Sequence, residues 1–230
     1  MNYENIINTH NANFKSNLVL SSDSDVSENR IANTNILTKI ISMIRNKTSS
    51  GMSHMNFITY AYYNWLPEYF FTTPASSTGK YHPDFANRSN GLILHSYAVT
   101  KLTSDLYHLI DNNDHVYNNM ICAAFFHDMF KYGDPAKYTP KTYTCHEHPQ
   151  LAADFFRHPD VIAKAIEFDL TEDDMRFIAD VINSHMGPYT TNKYSDITLP
   201  LPNTKYEHLL HHADMIASRK ENDIVKDVLL

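Results

Sequence analysis

Apolar residues recur at helical spacing through most of the chain. Ile31, Ile36, Leu37, Ile40, Ile41 and Ile44 fall on one stripe and predict a helix over 31–46 that packs on the main body. Thr48-Ser49-Ser50-Gly51 breaks it. An aromatic-rich segment follows over 54–70, with Phe57, Tyr60, Tyr62, Tyr63, Trp65, Tyr69 and Phe70, divided at Pro67. Core packing is the plain reading of these rings; lining a base-binding pocket is the functional one. Residues 73–83 read as a polar loop. After Asn90-Gly91, the residues His95, Val99, Leu102 and Leu106 recur at three and four, predicting a helix over 92–110 with His95 on its apolar face. Asp111 to Asp114 is a turn, and a further helix runs from Val116 to about Phe130, stopped by Gly133-Asp134-Pro135.

Thr139 to Thr144 is irregular, with room for short extended β pieces. Pro149 suits the first position of the next helix, with His148 at its cap. Shorter helices are expected over 160–168 and 172–184, the second capped by Thr171 with Asp173 and Asp174 in its first turn. His185 closes that helix before Gly187-Pro188, and 189–203 is a loop. The last helix covers about 205–221, where Asp214 adjoins the stripe of Leu209, Leu210, Ala213, Ile216 and Ala217. The first thirty residues are polar and rich in Asn and Ser. The expected organisation is all-α: an N-terminal extension over 1–50 with one helix, then a helical domain over 51–230.

Composition narrows the classes. The chain has 230 residues, 43% hydrophobic and 20% charged, as in a globular protein with a real core. A formal net charge of −7 argues against an extended nucleic-acid surface but not against a small anionic substrate. No apolar run approaches the roughly 18 residues of a membrane span, and no basic-then-apolar leader opens the chain. No membrane partner and a cytoplasmic location are the default expectations; self-association is compatible with this composition. Cys122 and Cys145 make no disulfide framework. Cys122 reads as a small core residue, and Cys145 as a remote ligand candidate. Fourteen histidines are many, but His10, His54, His108, His115 and His158 lie away from any candidate site, so placement must carry the reading.

One stretch organises the chemistry: Ala123-Ala124-Phe125-Phe126-His127-Asp128-Met129-Phe130-Lys131. An imidazole and a carboxylate end an apolar run, where neither is at ease unless something satisfies it. Both are ligands for divalent ions. His95, His148, His185 and Asp214 are candidates to complete such a site. Neighbours on a helix are about 100° apart, so His127 and Asp128 reach one ion only at an edge or a fraying end. Lys131, three residues past Asp128, is a candidate contact for substrate phosphate. Glu147 is a candidate orienter of a ligand histidine. Arg88 and His82 are further substrate-binding candidates, His82 also as a support to the ligands. His146 rivals His148, which Pro149 favours. His211 and His212 read as packing or surface groups, and Arg219 as a surface residue. The 73–83 loop lacks the spacing of a P-loop.

The ordered set resembles the HD phosphohydrolase superfamily. The resemblance lies in Gly91-Leu92-Ile93-Leu94-His95-Ser96, Phe126-His127-Asp128-Met129-Phe130-Lys131 and His212-Ala213-Asp214-Met215-Ile216-Ala217, over about 55–225. Ser184-His185-Met186-Gly187 is similar to the Ser-His-His-Gly of some phosphodiesterase and exoribonuclease members, with Met186 in place of the second histidine. The resemblance implies a helical HD-type bundle with long loops and water-driven hydrolysis of a phosphoester or phosphoanhydride. One or two divalent ions (Mn, Mg, Fe, Co, Ni or Zn) would serve it. His95, His127 and Asp214 would hold the first ion, His148 and His185 the second, and Asp128 would bridge them. It implies a small nucleotide as substrate, or, through phosphodiesterase or 3'-5' exonuclease chemistry, a short oligonucleotide or cyclic dinucleotide. Two other classes fit the same residues: a nucleotide-binding domain without hydrolysis, and a di-iron oxygenase, which would consume oxygen. Neither would release phosphate.

Overall fold

Helices make up nearly all of the regular structure. A computed structural model describes residues 27–47, 50–80, 82–136 and 142–220. Among these the one β feature is an isolated bridge between Asn192 and Ser195. The polar segment 1–26, with His10, and residues 137–141, which take in the start of the irregular stretch 139–144, lie outside the described residues. The helix expected over 31–46 is two, α1 (Glu28–Ala32) and α2 (Thr34–Met43). Asn33 divides them: its side-chain amide donates to the Asn29 carbonyl at 2.8 Å, a local bond that competes with the helical ladder. The stripe is still used, because Ile36, Leu37, Ile40 and Ile44 join the same buried cluster as the rest of the chain.

The aromatic stretch lies mostly on α3 (Ser50–Asn64). Pro67 starts a separate 3-10 turn, Glu68–Phe71. Phe57, Tyr62, Phe70 and Phe71 are fully buried, and Phe57 packs edge-on against Trp65 with centroids 5.6 Å apart. The plain reading therefore holds for Phe57, Tyr62 and Phe70.

Two helices form the centre. In α4 (Gly91–Leu106) every residue from Gly91 to Thr100 is buried, and in α5 (Asp114–Phe126) every residue from Tyr117 to Phe126. Helices buried on all sides are innermost elements. Gly91 is required where it stands, since a Cβ would lie 2.1 Å from the Ala86 carbonyl oxygen. That close approach seats α4 on the 3-10 turn Asp84–Asn87.

Four helices complete the bundle: α6 (His148–Phe156), α7 (Pro159–Ile166), α8 (Glu172–Asn183) and α9 (Lys205–Ala217). Thr171 and Asp174 cap α8 reciprocally, and Thr204 caps α9. α8 packs on α5 and α6, and α9 on α4, α8 and α5. No helix of the described residues is long and apolar enough to cross a membrane.

Candidate metal centre

Five segments deliver side chains to one buried point. α4 brings His95, the chain beyond α5 brings His127 and Asp128, and the start of α6 brings His148. The turn after α8 brings His185, and α9 brings Asp214. The α-helix stops at Phe126. Hydrogen bonds then span three residues, from Met129 N to Phe126 O (3.0 Å), Lys131 N to Asp128 O (3.0 Å) and Gly133 N to Phe130 O (2.8 Å). This tighter winding lets two adjacent residues aim at one place. Two neighbours hold the turn. The Tyr69 hydroxyl donates to the carbonyls of Met129 (3.1 Å) and Gly133 (2.6 Å). On another side the Cys145 N–H donates to the Lys131 carbonyl at 2.7 Å.

Asp128 is the hub. Its Oδ2 lies 3.6 Å from His95 Nε2 and 3.4 Å from His127 Nε2. Its Oδ1 lies 2.9 Å from His148 Nε2 and 3.5 Å from His185 Nε2. Asp214 Oδ1 closes the first set, 3.0 Å from His95 Nε2 and 3.9 Å from His127 Nε2. The Lys131 ammonium touches both Asp128 oxygens, at 3.0 and 2.9 Å. Three overlapping groups have ligand atoms within 4.8 Å of one another: His95, His127, Asp128; His127, His185, Asp214; and Asp128, His148, His185.

The main chain orients three of the rings. Nδ1 of His127 donates to the Ala124 carbonyl (2.8 Å), that of His148 to Cys145 (2.6 Å) and that of His185 to Ile182 (2.7 Å). A carbonyl only accepts, so a proton sits on Nδ1 of each ring and Nε2 is the atom turned inward. The orienting task expected of Glu147 is thus carried by backbone three residues upstream. Glu147 caps α6, and its carboxylate accepts from Cys145 Sγ (2.8 Å) and Ser195 Oγ (2.9 Å).

The charges hold both carboxylates ionised. Burial raises the Asp128 carboxyl, but Lys131 and His127 outweigh it and hold it well below its ordinary range. Burial likewise raises Asp214, and His95 and His127 pull it far down. Burial lowers the Lys131 ammonium, yet Asp128 and Asp214 keep it charged. Burial, then Lys131, pushes His148 down to about 4, so this ring is neutral at ordinary pH. Burial lowers His127, but Asp128 and Asp214 outweigh it and raise its pKa, so without an ion the two carboxylates are balanced by the Lys131 ammonium and the His127 ring.

The donor atoms also fit a metal. His95 Nε2, His127 Nε2 and Asp128 Oδ2 are buried, make no hydrogen bond of good geometry, and converge on one another; Lys131 and Asp214 approach two of them as ion-pair partners. Comparison with family models, curated proteins and solved structures finds no match to this chain. The metal-binding character of the cluster therefore stands on its geometry: an all-helical fold with clustered histidines and aspartates able to chelate an ion.

The other candidates are dispersed. His82 packs edge-on against His95, with centroids 5.4 Å apart, and its Nδ1 is buried without a partner. Burial, then His95, lowers its pKa to about 4. Arg88 is exposed at the end of the Asp84–Asn87 turn and is not among the residues brought together. His146 donates from Nε2 to the Thr190 carbonyl at 3.2 Å, and His148 takes the inner position. His211 donates from Nδ1 to the carbonyl of His185 at 2.9 Å. Sequence reasoning missed Ser218, which lies 3.4 Å from Asp214 Oδ1. A serine inside the helix expected over 205–221, and at the cap of the shorter one observed, carries no periodic signal.

Proposed function

We propose that this chain is a metal-dependent phosphohydrolase acting on a nucleotide-type substrate, its helical domain of HD type spanning 51–230. One observation carries the reading: the two oxygens of Asp128 face different sets of imidazoles, His95 and His127 on one side and His148 and His185 on the other. A carboxylate placed between two such sets could serve a pair of ions of the kind used in phosphoryl chemistry. His95, His127, Asp128 and Asp214 would hold one ion; Asp128, His148 and His185 would hold a second. The histidine-rich set favours Fe, Ni or Zn over Mg. Ions held there lower the pKa of a bound water toward neutrality and offset charge on phosphoryl oxygens.

The chain's own residues supply the rest. Carbonyl-locked imidazoles present their lone pairs without reorganisation. Lys131 offers a buried ammonium with three donors to a phosphoryl oxygen. Met129 and Ala213, next to these groups in sequence, are fully buried, and a setting of low polarity strengthens each interaction. The net charge of −7 favours a small nucleotide over a long polynucleotide. Short oligonucleotides and cyclic dinucleotides are the phosphodiester alternatives.

The test is a screen of nucleotides, cyclic dinucleotides and short oligonucleotides with each metal, run beside Asp128→Asn. Turnover in the wild type and none in the variant is expected. Equal turnover in both contradicts the assignment. Metal uptake with no hydrolysis of any substrate points to a binding domain, and oxygen consumption with Fe²⁺ to an oxygenase.

A further inference from the structure

We infer that His82 and Ser218 form a hydrogen-bond relay that positions Asp214, and so tunes one half of the metal centre. The inference rests on the metal-binding reading above. Ser218 is the C-cap of α9, and its N–H donates to the Asp214 carbonyl at 2.9 Å. Its hydroxyl turns back to lie 3.4 Å from Asp214 Oδ1, the oxygen that faces His95 and His127. The same hydroxyl lies 3.4 Å from His82 Nε2. His82 comes from the loop before α4, 136 residues away in the chain.

The direction of the relay follows from what each atom can do. An ionised carboxylate only accepts, so Ser218 must give its one proton to Asp214. The serine oxygen is then left with lone pairs, and His82 Nε2 must donate to it. The His82 ring also braces His95 edge-on, 64° from parallel. His82 therefore reaches two members of the His95, His127, Asp214 set, one directly and one through Ser218. The Asp128 oxygen that faces His148 and His185 lies on the other side of the hub. His82, a substrate-binding candidate by sequence, is here a positioning residue.

Removing a side chain that orients a metal ligand weakens metal affinity by about 10–100-fold. Both bonds here are long for hydrogen bonds, so the low end, about 10-fold, is expected. The test is Co²⁺ titration of the full chain by calorimetry and visible absorption. Wild type is set beside Ser218→Ala, His82→Phe, the double variant, and Ser218→Thr, which keeps the hydroxyl. Ser218→Ala and His82→Phe should each weaken one binding step about 10-fold and leave the other alone. The double variant should be no worse than Ser218→Ala, because the relay passes through the serine, and Ser218→Thr should restore affinity. If the chain takes a single ion, that one constant carries the test. Affinities within about twofold of wild type, or two steps weakened alike, overturn the relay. Wild type that takes up no Co²⁺ overturns the metal centre itself, before any variant is compared.

Discussion

α5 and α8 lie side by side with their starts together, and each end of the pair carries a polar cluster. At the first end Asp174 of α8 accepts from Asn119 of α5 at 2.7 Å and from His115 Nε2 at 2.5 Å. Its other oxygen accepts from the Thr171 N–H (2.9 Å) and hydroxyl (2.8 Å). His54 of α3 completes the set, its Nε2 lying 2.7 Å from Asn119 Oδ1. At the second end, about 18 Å further along α5 at 1.5 Å per residue, stand His127, Asp128 and His185. Both ends bury histidine and aspartate. At the first, each Asp174 oxygen has neutral or histidine donors; at the second, His127 Nε2 has no hydrogen-bond partner, and Asp128 Oδ2 and His95 Nε2 meet only charged groups, Lys131 at 2.9 Å and Asp214 at 3.0 Å. The difference teaches that buried imidazole and carboxylate are not by themselves a site. Polar atoms that converge yet leave each other unsatisfied are what a bound ion would complete.

The sharpest way to break the comparison is to remove one hub from each end. Asp128→Asn should abolish metal uptake and turnover, read by calorimetry and product release. Asp174→Ala should leave metal affinity within about twofold of wild type. It should cost about 2–4 kcal/mol of stability by urea denaturation, from an orphaned Asn119 donor and a lost cap.

The next effect falls on the second end alone. His95 faces the Asp214 carboxylate at 3.0 Å and holds it ionised, and removing one partner of such a pair leaves the other uncompensated. His95→Leu should therefore destabilise the metal-free protein by about 1–3 kcal/mol and lose metal-dependent stabilisation. In wild type, metal at 100 times its dissociation constant should add about 2.7 kcal/mol. Thermal denaturation with and without metal reads both.

A smaller effect is the pH response of the satisfied end. Burial raises the Asp174 carboxyl, but bonds from Asn119, Thr171 and His115 outweigh it and hold it near about 2, against an ordinary 3.8. A folded value below the unfolded one means that this stabilisation is present above the unfolded value and is lost as pH falls through the folded one. The melting temperature of wild type should fall more steeply between about pH 4 and 2 than that of Asp174→Asn. Equal slopes would remove Asp174 from the account. Smallest of all, Arg88→Ala should change turnover by less than about threefold, as suits an exposed side chain away from the cluster.

Much of the second end was legible because its residues sit on periodic helices. His95 falls on the Val99, Leu102, Leu106 stripe, and Gly133-Asp134-Pro135 announces a helix end near which His127 and Asp128 meet. Pro149 singles out His148 over His146. The rest was not legible, because it depends on partners far away in the chain. Nothing local tells that Asn119 satisfies His54 and Asp174, or that carbonyls rather than Glu147 orient the rings. The Asn33 break in the first stripe was missed for a different reason: a side chain bonding its own backbone leaves the apolar pattern intact.

The central claim is that Asp128 shares its two oxygens between metal positions. Crystals grown with Mn²⁺ and measured for anomalous scattering test it most directly. The account expects a peak within ligating distance of Asp128, His95, His127 and Asp214, with any second peak on the side of His148 and His185. Mn²⁺ found only elsewhere on the molecule, with Lys131 still paired to both Asp128 oxygens, would contradict it.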